Sequence, residues 1–319
     1  MSNYISDSSK THWMVSNPAR TTRTGMDGKP FRCPFCLGNE ADTPPEVYRI
    51  GDGEINKPGW QVRVFANLFP ITEIHEVVVH SPDHEKNIED FPLVQVENIL
   101  KTYISRFNTL SEKGKVFIFH NYALISGASL VHPHSQITVV PNEIPTVTLP
   151  VQPVVNIVEQ VGEFVSYCPD YSEWSYEVWI RISEEGLGTR RLGTSFKNLN
   201  EKQISNLAKI LKSTIQKLKK IYGSNPHYSK RAFGYNYYIY TPQAGSTGSP
   251  TGSGMTKQNN ANGQNIVIPA EAGIQNSGNN WYLRIIPRFM ERAGFELSTG
   301  IMVNSVEAKR ASEELRKML

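Results

Sequence analysis

Cysteine is scarce: the 319 residues contain three, Cys33, Cys36 and Cys168. Two of them share a C-x-x-C, so a disulfide scaffold is not expected and a reducing, cytoplasmic setting is. Net charge is scarce too. The 33 basic and 30 acidic residues leave a formal charge of +3. That points to no nucleic-acid partner, while leaving room for a local basic pocket for phosphates. Long apolar runs are missing. None approaches the roughly 18–20 residues that cross a bilayer, so no membrane partner is expected. Met1 to Lys10 is polar and lacks the apolar stretch of a signal peptide. What remains is ordinary for a soluble chain: 39% hydrophobic and 20% charged residues, in a length that can bury a sizeable core and hold two domains.

Against this background one stretch stands out, Val131-His132-Pro133-His134-Ser135-Gln136. It opens a β-branched run, Ile137 to Val140. Strand alternation sends His132 and His134 to one side, and Pro133 stiffens the link between them. Gly127-Ala128-Ser129 precedes it, a backbone that can approach an anion closely. Two imidazoles, a hydroxyl and an amide on one face suit chemistry at phosphorus. A strand end carrying two unrelated histidines is the plain alternative.

Phe31 to Gly38 forms a knuckle around Cys33 and Cys36. Two thiolates at this spacing supply half of a tetrahedral zinc site. A redox pair or two buried thiols are the alternatives. A redox C-x-x-C opens a helix, whereas here Gly38, Asn39 and Thr43-Pro44-Pro45 oppose one, so metal is favoured. The other two ligands must come from eight histidines. His84, in the turn Ser81-Pro82-Asp83-His84, and His132 are chemically sensible, but spacing alone does not select them. Arg20 and Arg23 sit three apart in a loop, where guanidinium forks suit phosphate.

The remaining pattern alternates strands with long helices. Residues 1–11 are expected to be disordered, with order beginning at a short strand near Trp13. Asn67 ends a strand from Trp60. A helix is expected from Pro92 to Leu110, with Val96, Ile99, Leu100, Tyr103 and Phe107 at helical period. A strand at 116–119 runs into His120-Asn121. The second part repeats this plan loosely, with strands near 164–169 and 176–182. A helix from Asn200 to Tyr222 starts with a capping box to Gln203. Strands at 233–241 and 281–287 and a terminal helix from Glu307 follow. Residues 242–280 are rich in Gly, Ser, Thr, Asn and Gln and read as a flexible insert.

These motifs, in this order, make the chain similar to the galactose-1-phosphate uridylyltransferase family of the histidine-triad superfamily. The likeness rests on Trp13 to Arg23, the C-P-F-C at 33–36, Asn67, Ser81-Pro82-Asp83-His84, Asn121, Gly127-Ala128-Ser129 and His132 to Gln136. It implies an α+β fold of two histidine-triad-like halves, each a mostly antiparallel sheet with a long crossing helix. The catalytic half would span 12–150 and the second half 151–319. It implies a nucleotidyl transferase acting on nucleotide sugars and hexose-1-phosphates through a covalent nucleotidyl-His134. Gln136 and Ser129, helped by Gly127 and Ala128, would hold phosphoryl oxygens. Arg20, Arg23, Asn67 and Asn121 would bind substrate. Cys33, Cys36, His84 and His132 would bind one structural Zn2+. A homodimer is common in the family. The family's second metal site uses a His-x-His where Tyr282 and Arg284 stand, so no second metal is expected. Pro287-Arg288, Ala293 to Glu296 and HPHSQ in place of HPHGQ resemble the shorter branch that includes nucleoside diphosphate-sugar phosphorylases. Two further readings stay open: an ADP-sugar phosphorylase using inorganic phosphate, and a catalytically weak nucleotide-binding protein.

Overall fold

The computed structural model describes residues 3–22, 32–146, 148–183, 195–226, 228–230, 232–242 and 281–318. Almost all of the expected insert, from 243 to 280, and Arg23 lie outside the described residues. A hairpin of β1 (Asn3–Ser6) and β2 (Trp13–Ser16) stands apart from the main sheet. The ten strands of that sheet are β3 (Glu46–Gly51), β4 (Trp60–Ala66), β5 (Ile74–Val79), β6 (Lys115–Tyr122), β7 (His134–Val140), β8 (Ile157–Val161), β9 (Phe164–Tyr167), β10 (Val178–Ile182), β11 (Tyr235–Tyr240) and β12 (Tyr282–Pro287). The helices are α1 (Leu93–Leu110), α2 (Glu201–Ser224), α3 (Gly294–Thr299) and α4 (Ala308–Arg316).

The β1–β2 hairpin corrects the expectation of disorder over 1–11. The polar composition hid a turn. The Asp7 carboxylate accepts from the N–H groups of Thr11, at 2.8 Å, and His12, at 3.0 Å, and so closes the hairpin.

Strand order in the main sheet is β3-β4-β5-β7-β6-β11-β12-β10-β9-β8, with every pairing antiparallel. The order reads the same from either edge: β3-β4-β5-β7-β6 is matched by β8-β9-β10-β12-β11. In each half the long helix leaves the third strand and returns to the central one. The halves join through β6 and β11, where His120 faces Tyr237. The loose repetition in the sequence is therefore an internal duplication of topology, fused into one sheet.

α1 and α2 lie on one face, and the main core fills the space between them and the sheet. Val96, Ile99, Leu100, Tyr103 and Phe107 of α1 are buried there with Val64, Val78, Ile118, Ile137 and Val139 of the strands. The apolar stripe of α2, from Ile204 to Tyr222, packs into the same core. Asn200 caps α2 with the expected reciprocal box, its Oδ1 accepting from Gln203 N–H at 3.0 Å and its own N–H donating to Gln203 Oε1 at 2.9 Å. Alternate strand residues make two smaller clusters on the opposite face. Phe35, Trp60, Phe65, Val77 and Val79 cover the first half, and Val165, Tyr167, Trp179 and Tyr282 the second.

Charge is buried on that opposite face. The Arg284 guanidinium in β12 meets both oxygens of Glu177, at 2.7 and 2.8 Å, and one oxygen of Glu173 at 2.9 Å. Trp179 Nε1 donates to the same Glu177 at 2.6 Å. Burial lowers the Arg284 pKa, but its contacts with Glu177 and Tyr238 together raise it above the ordinary value, so the guanidinium stays charged. The Glu177 side chain is wholly inaccessible. Arg284→Ala, which leaves that carboxylate buried without its cation, should cost about 3–5 kcal/mol in chemical denaturation. Replacing both partners, with Arg284→Met and Glu177→Leu, should cost less than Arg284→Ala alone. A double variant less stable than the single one would contradict this account.

Candidate active site

The site is built by strand parity. Val64 and Val78 point to the helices, so Phe65, Val77 and Val79 point the other way. The register sets His134 opposite Val79 and Gln136 opposite Val77. Both therefore face away from the helices. Asn67, two residues past Phe65, and His75, two before Val77, reach the same side. Ser135, opposite Val78, points inward.

His134, Gln136, Ser129 and Asn67 line a cavity of about 330 Å³. Phe35, Phe65 and Val77 form its apolar wall, and Arg32, Asp42 and Thr43 its polar end. His134 Nδ1 lies 2.8 Å from the His132 carbonyl. A carbonyl only accepts, so Nδ1 carries the proton and the ring lone pair sits on Nε2. Phe35 meets the His134 ring edge-on with centroids 5.2 Å apart.

Beside the cavity stand Cys33, Cys36, His84 and His132, with one donor atom of each within 4.8 Å of all the others. Cys36 Sγ lies 3.2 Å from His84 Nδ1 and 3.7 Å from His132 Nδ1. A tetrahedron with ordinary zinc–nitrogen and zinc–sulfur bonds has edges of about 3.3–3.8 Å. The donor set and its spacing thus fit a metal. His132 Nε2 donates to the Ser81 carbonyl at 2.8 Å, which turns Nδ1 toward the cluster. Burial pushes the His132 pKa down to about 4, so the ring is neutral as a ligand must be. Burial also raises the Cys33 thiol to about 11, a value that a bound cation would reverse.

Other expected residues sit elsewhere. Arg20 Nη1 donates to the Phe69 carbonyl at 2.6 Å, beside the cavity but not among its lining. Asn121 Oδ1 accepts from Asn236 Nδ2 at 2.7 Å, and that nitrogen also reaches the Ser126 carbonyl at 2.9 Å. Asn121 thus steadies the turn before β7. Gly127 takes the left-handed conformation, φ +84°, and its N–H donates to Leu124 at 2.9 Å. Ala128 N–H points to the Ala123 carbonyl at 3.4 Å. These amides face the turn's own carbonyls, and of the three loop residues Ser129 reaches the cavity.

Three histidines outside the expected set surround β7. His75 Nε2 lies 3.0 Å from Gln136 Oε1. His80 Nε2 lies 2.7 Å from Ser135 Oγ, which Tyr103 also contacts. His120 Nδ1 lies 2.8 Å from the His134 carbonyl. His80 and His120 stack with centroids 5.0 Å apart. The signal for His75 and His80 was available: one lies in β5 and the other just beyond it, on the way to His84.

At the corresponding strand of the second half the described side chains pack against one another. Gln136 faces Phe119, Arg284 faces Tyr238, and Phe119 faces Tyr238 across the seam. Arg284 therefore stands in β12 where Gln136 stands in β7, held by Glu177. Tyr282 stacks on Trp179 at 4.1 Å, and its hydroxyl donates to the Leu149 carbonyl at 2.9 Å. The connecting segment covers this face through Leu149, Val151 and Val154.

Residues 71–140 match the family model described as galactose-1-phosphate uridyl transferase, N-terminal domain. Over that stretch the chain is similar to the galactose-1-phosphate uridylyltransferase family. The match spans β5, α1, β6 and β7 and includes His84, His132, His134 and Gln136. Among relatives, the ADP-glucose phosphorylase of Arabidopsis thaliana is 25% identical, aligned over 96% of this chain and 90% of its own. The galactose-1-phosphate uridylyltransferase of Thermotoga maritima is 25% identical over 66% of this chain and 73% of its own. The crystal structure of the Arabidopsis thaliana ADP-glucose phosphorylase with bound ADP-glucose superposes with a TM-score of 0.66 at 22% identity, covering 100% of both chains. A uridylyltransferase structure gives 0.64 at 18% identity, over 99% of this chain and 97% of that one. Both structures share the fold. Among the described residues no helix is long and apolar enough to cross a membrane.

Burial gives the histidines behind β7 a readable pH signature. It pushes His120 down to about 3 and His80 well below its ordinary value, with neighbouring histidines lowering His80 further. The unfolded chain takes up protons at these rings below about pH 6.5. The folded chain does so only far lower. Stability from this source is complete above about pH 6.5 and is lost as pH falls toward 3. Each ring contributes a slope of up to about 1.4 kcal/mol per pH unit. The denaturant midpoint should fall between pH 7 and pH 5, and fall less in His120→Phe. Equal dependence in both proteins would show that His120 is not buried neutral.

Proposed function

We propose that this protein is a nucleotidyltransferase that moves a nucleotidyl group between nucleotide sugars and phosphate acceptors through His134. The observation that carries the reading is the His134 ring itself. Its Nδ1 proton is committed to the His132 carbonyl, and its Nε2 side belongs to a cavity that also holds Gln136 and Ser129. In the first step the Nε2–phosphorus bond forms at the α-phosphorus, and the bond to the sugar phosphate oxygen breaks. Hexose-1-phosphate leaves. In the second step an acceptor oxygen takes the nucleotidyl group and the nitrogen–phosphorus bond breaks. Two displacements replace one harder one, and a neutral imidazole suits both. Gln136 and Ser129 supply donors to the phosphoryl oxygens. Asn67 and the apolar wall of Phe35 and Phe65 receive the nucleoside. Arg20, Arg23 and Asn121 act around this site, Asn121 through the turn that it holds. Cys33, Cys36, His84 and His132 would hold a structural zinc. When bound, the metal supplies a fixed position for the His132 ring, whose carbonyl orients His134.

Two acceptors fit this chemistry. A hexose-1-phosphate gives the uridylyltransferase reaction of galactose metabolism. Inorganic phosphate gives a phosphorylase, and the alignment over 96% of this chain with an ADP-glucose phosphorylase favours it. A nucleotide sugar labelled at the α-phosphate separates them. UDP-glucose or ADP-glucose should leave an acid-labile adduct on the wild-type protein and none on His134→Asn. A chase with phosphate should release nucleoside diphosphate, and a chase with galactose-1-phosphate should release the exchanged nucleotide sugar. Nucleotide binding without any adduct would reduce the protein to a binding module.

The metal makes a separate prediction. The purified protein should carry about one zinc per chain by elemental analysis. Cys33→Ser with Cys36→Ser should remove it. Unchanged zinc in that double variant would reject the ligand set.

A further inference from the structure

His75 lies on the cavity face of β5 and is almost wholly buried, with 3% exposure. Several polar neighbours bear on its ring. The backbone N–H of Ile71 donates to Nδ1 at 2.8 Å. Gln136 Oε1 lies 3.0 Å from Nε2, and Asn67 Nδ2 lies 3.2 Å from the same atom. A neutral imidazole has one donor and one acceptor nitrogen. With the proton on Nε2, the ring accepts from Ile71 and donates to Gln136, and gains nothing from Asn67. With the proton on Nδ1, it gains the Asn67 contact alone. Two N–H groups would then oppose each other at 2.8 Å and two acceptors at 3.0 Å. The Nε2–H tautomer wins by that count. Asn67 keeps its own orientation independently, because its Oδ1 accepts from Phe69 N–H at 2.8 Å.

The consequence falls on Gln136. Its amide oxygen is engaged by His75, so its NH2 is the end left to the cavity that the residue lines. An NH2 stabilises phosphoryl oxygens as negative charge shifts among them, whereas an amide oxygen there would repel them. We propose that His75 is a positioning residue that sets which end of the Gln136 amide faces the reacting phosphoryl group. This role rests on the nucleotidyl-transfer reading of the site, and the tautomer beneath it does not.

Two measurements test the proposal. Without any substrate, the imidazole nitrogen resonances of His75 should report an unprotonated Nδ1 and a protonated Nε2. The reverse tautomer overturns the proposal, even if the protein proves to transfer no nucleotide. With substrate, His75→Leu should lower kcat roughly tenfold or more while KM for the nucleotide sugar stays within about twofold. A nucleotide sugar with sulfur at one non-bridging α-oxygen should slow the wild type in one of its two diastereomers. That discrimination should shrink in His75→Leu, because the donor that reads the oxygen has lost its orientation. His75→Gln, which offers an N–H in place of Nε2–H, should recover most of both. Wild-type kcat in His75→Leu, or an unchanged sulfur effect in a folded His75→Leu, overturns the role. Absence of a labelled adduct in the wild type overturns the parent reading and the catalytic role with it, while the resonances still decide the orientation of His75.

Discussion

The register of β7 is the constraint on which the site depends. Strand alternation puts His134 and Gln136 on the cavity face and Ser135 on the helix face, and a slip of one residue would exchange them. Pairing on both sides opposes that slip, with β5 setting Val79 against His134 and β6 setting His120 against Ser135. Ser135 adds a chemical lock. A hydroxyl in an apolar core must find partners. It finds His80, Tyr103 and Tyr237, contributed by the end of β5, by α1 and by the other half of the sheet. The inward residue of the motif thus fixes the two outward ones. His132 and His134, two residues apart on one face, can serve a metal cluster and a cavity at the same time because the strand period is two.

The internal duplication explains why so much of the chain supports so small a site. Each half supplies a five-strand sheet and a long helix, but β6 and β11 meet at the centre, so Tyr237 of the second half reaches the knot behind the first half's motif strand. The corresponding face of the second half is filled. Arg284 takes the place of Gln136, Glu177 neutralises it, and the segment through Leu149 lies across Tyr282 and Trp179. A buried cation paired this fully has little capacity left for an external anion. Among the described residues, the second half reaches the first half's site through Tyr237 and Asn236 at the seam.

Much of this was legible in the sequence, for identifiable reasons. α1 and α2 announced themselves through apolar period and, for α2, the Asn200–Gln203 box. The motif strand and the knuckle were visible because their residue types are chemically unusual at that spacing. The joining of two metal-type ligand pairs across 48 and 96 residues was visible only through the family resemblance, since spacing carries no information on how β5 and β7 pair. The β1–β2 hairpin was missed because one aspartate, not an apolar pattern, closes it. β8 and β3 were missed because edge strands are polar and half exposed. His75 and His80 were overlooked because a lone histidine at a strand end usually means nothing, and their importance comes from neighbours that only the register supplies.

The charge inventory of the cavity gives the orientation of Gln136 its weight. Among the described lining residues the fixed charges are Arg32 and Asp42, which pair with each other at 3.2 Å at the exposed rim. Burial keeps His132 neutral nearby. No net positive field from these residues acts on a bound α-phosphate. Dipoles already aimed at the right place then carry more of the stabilisation from the lining itself, since they act strongly where water is excluded. A dipole helps only in one direction. A cation would attract a phosphoryl oxygen in any rotamer, but an amide turned by half a revolution would oppose it. A site that relies on an amide therefore needs a second residue to hold the amide's sense, and the buried ring of His75 is placed to do so.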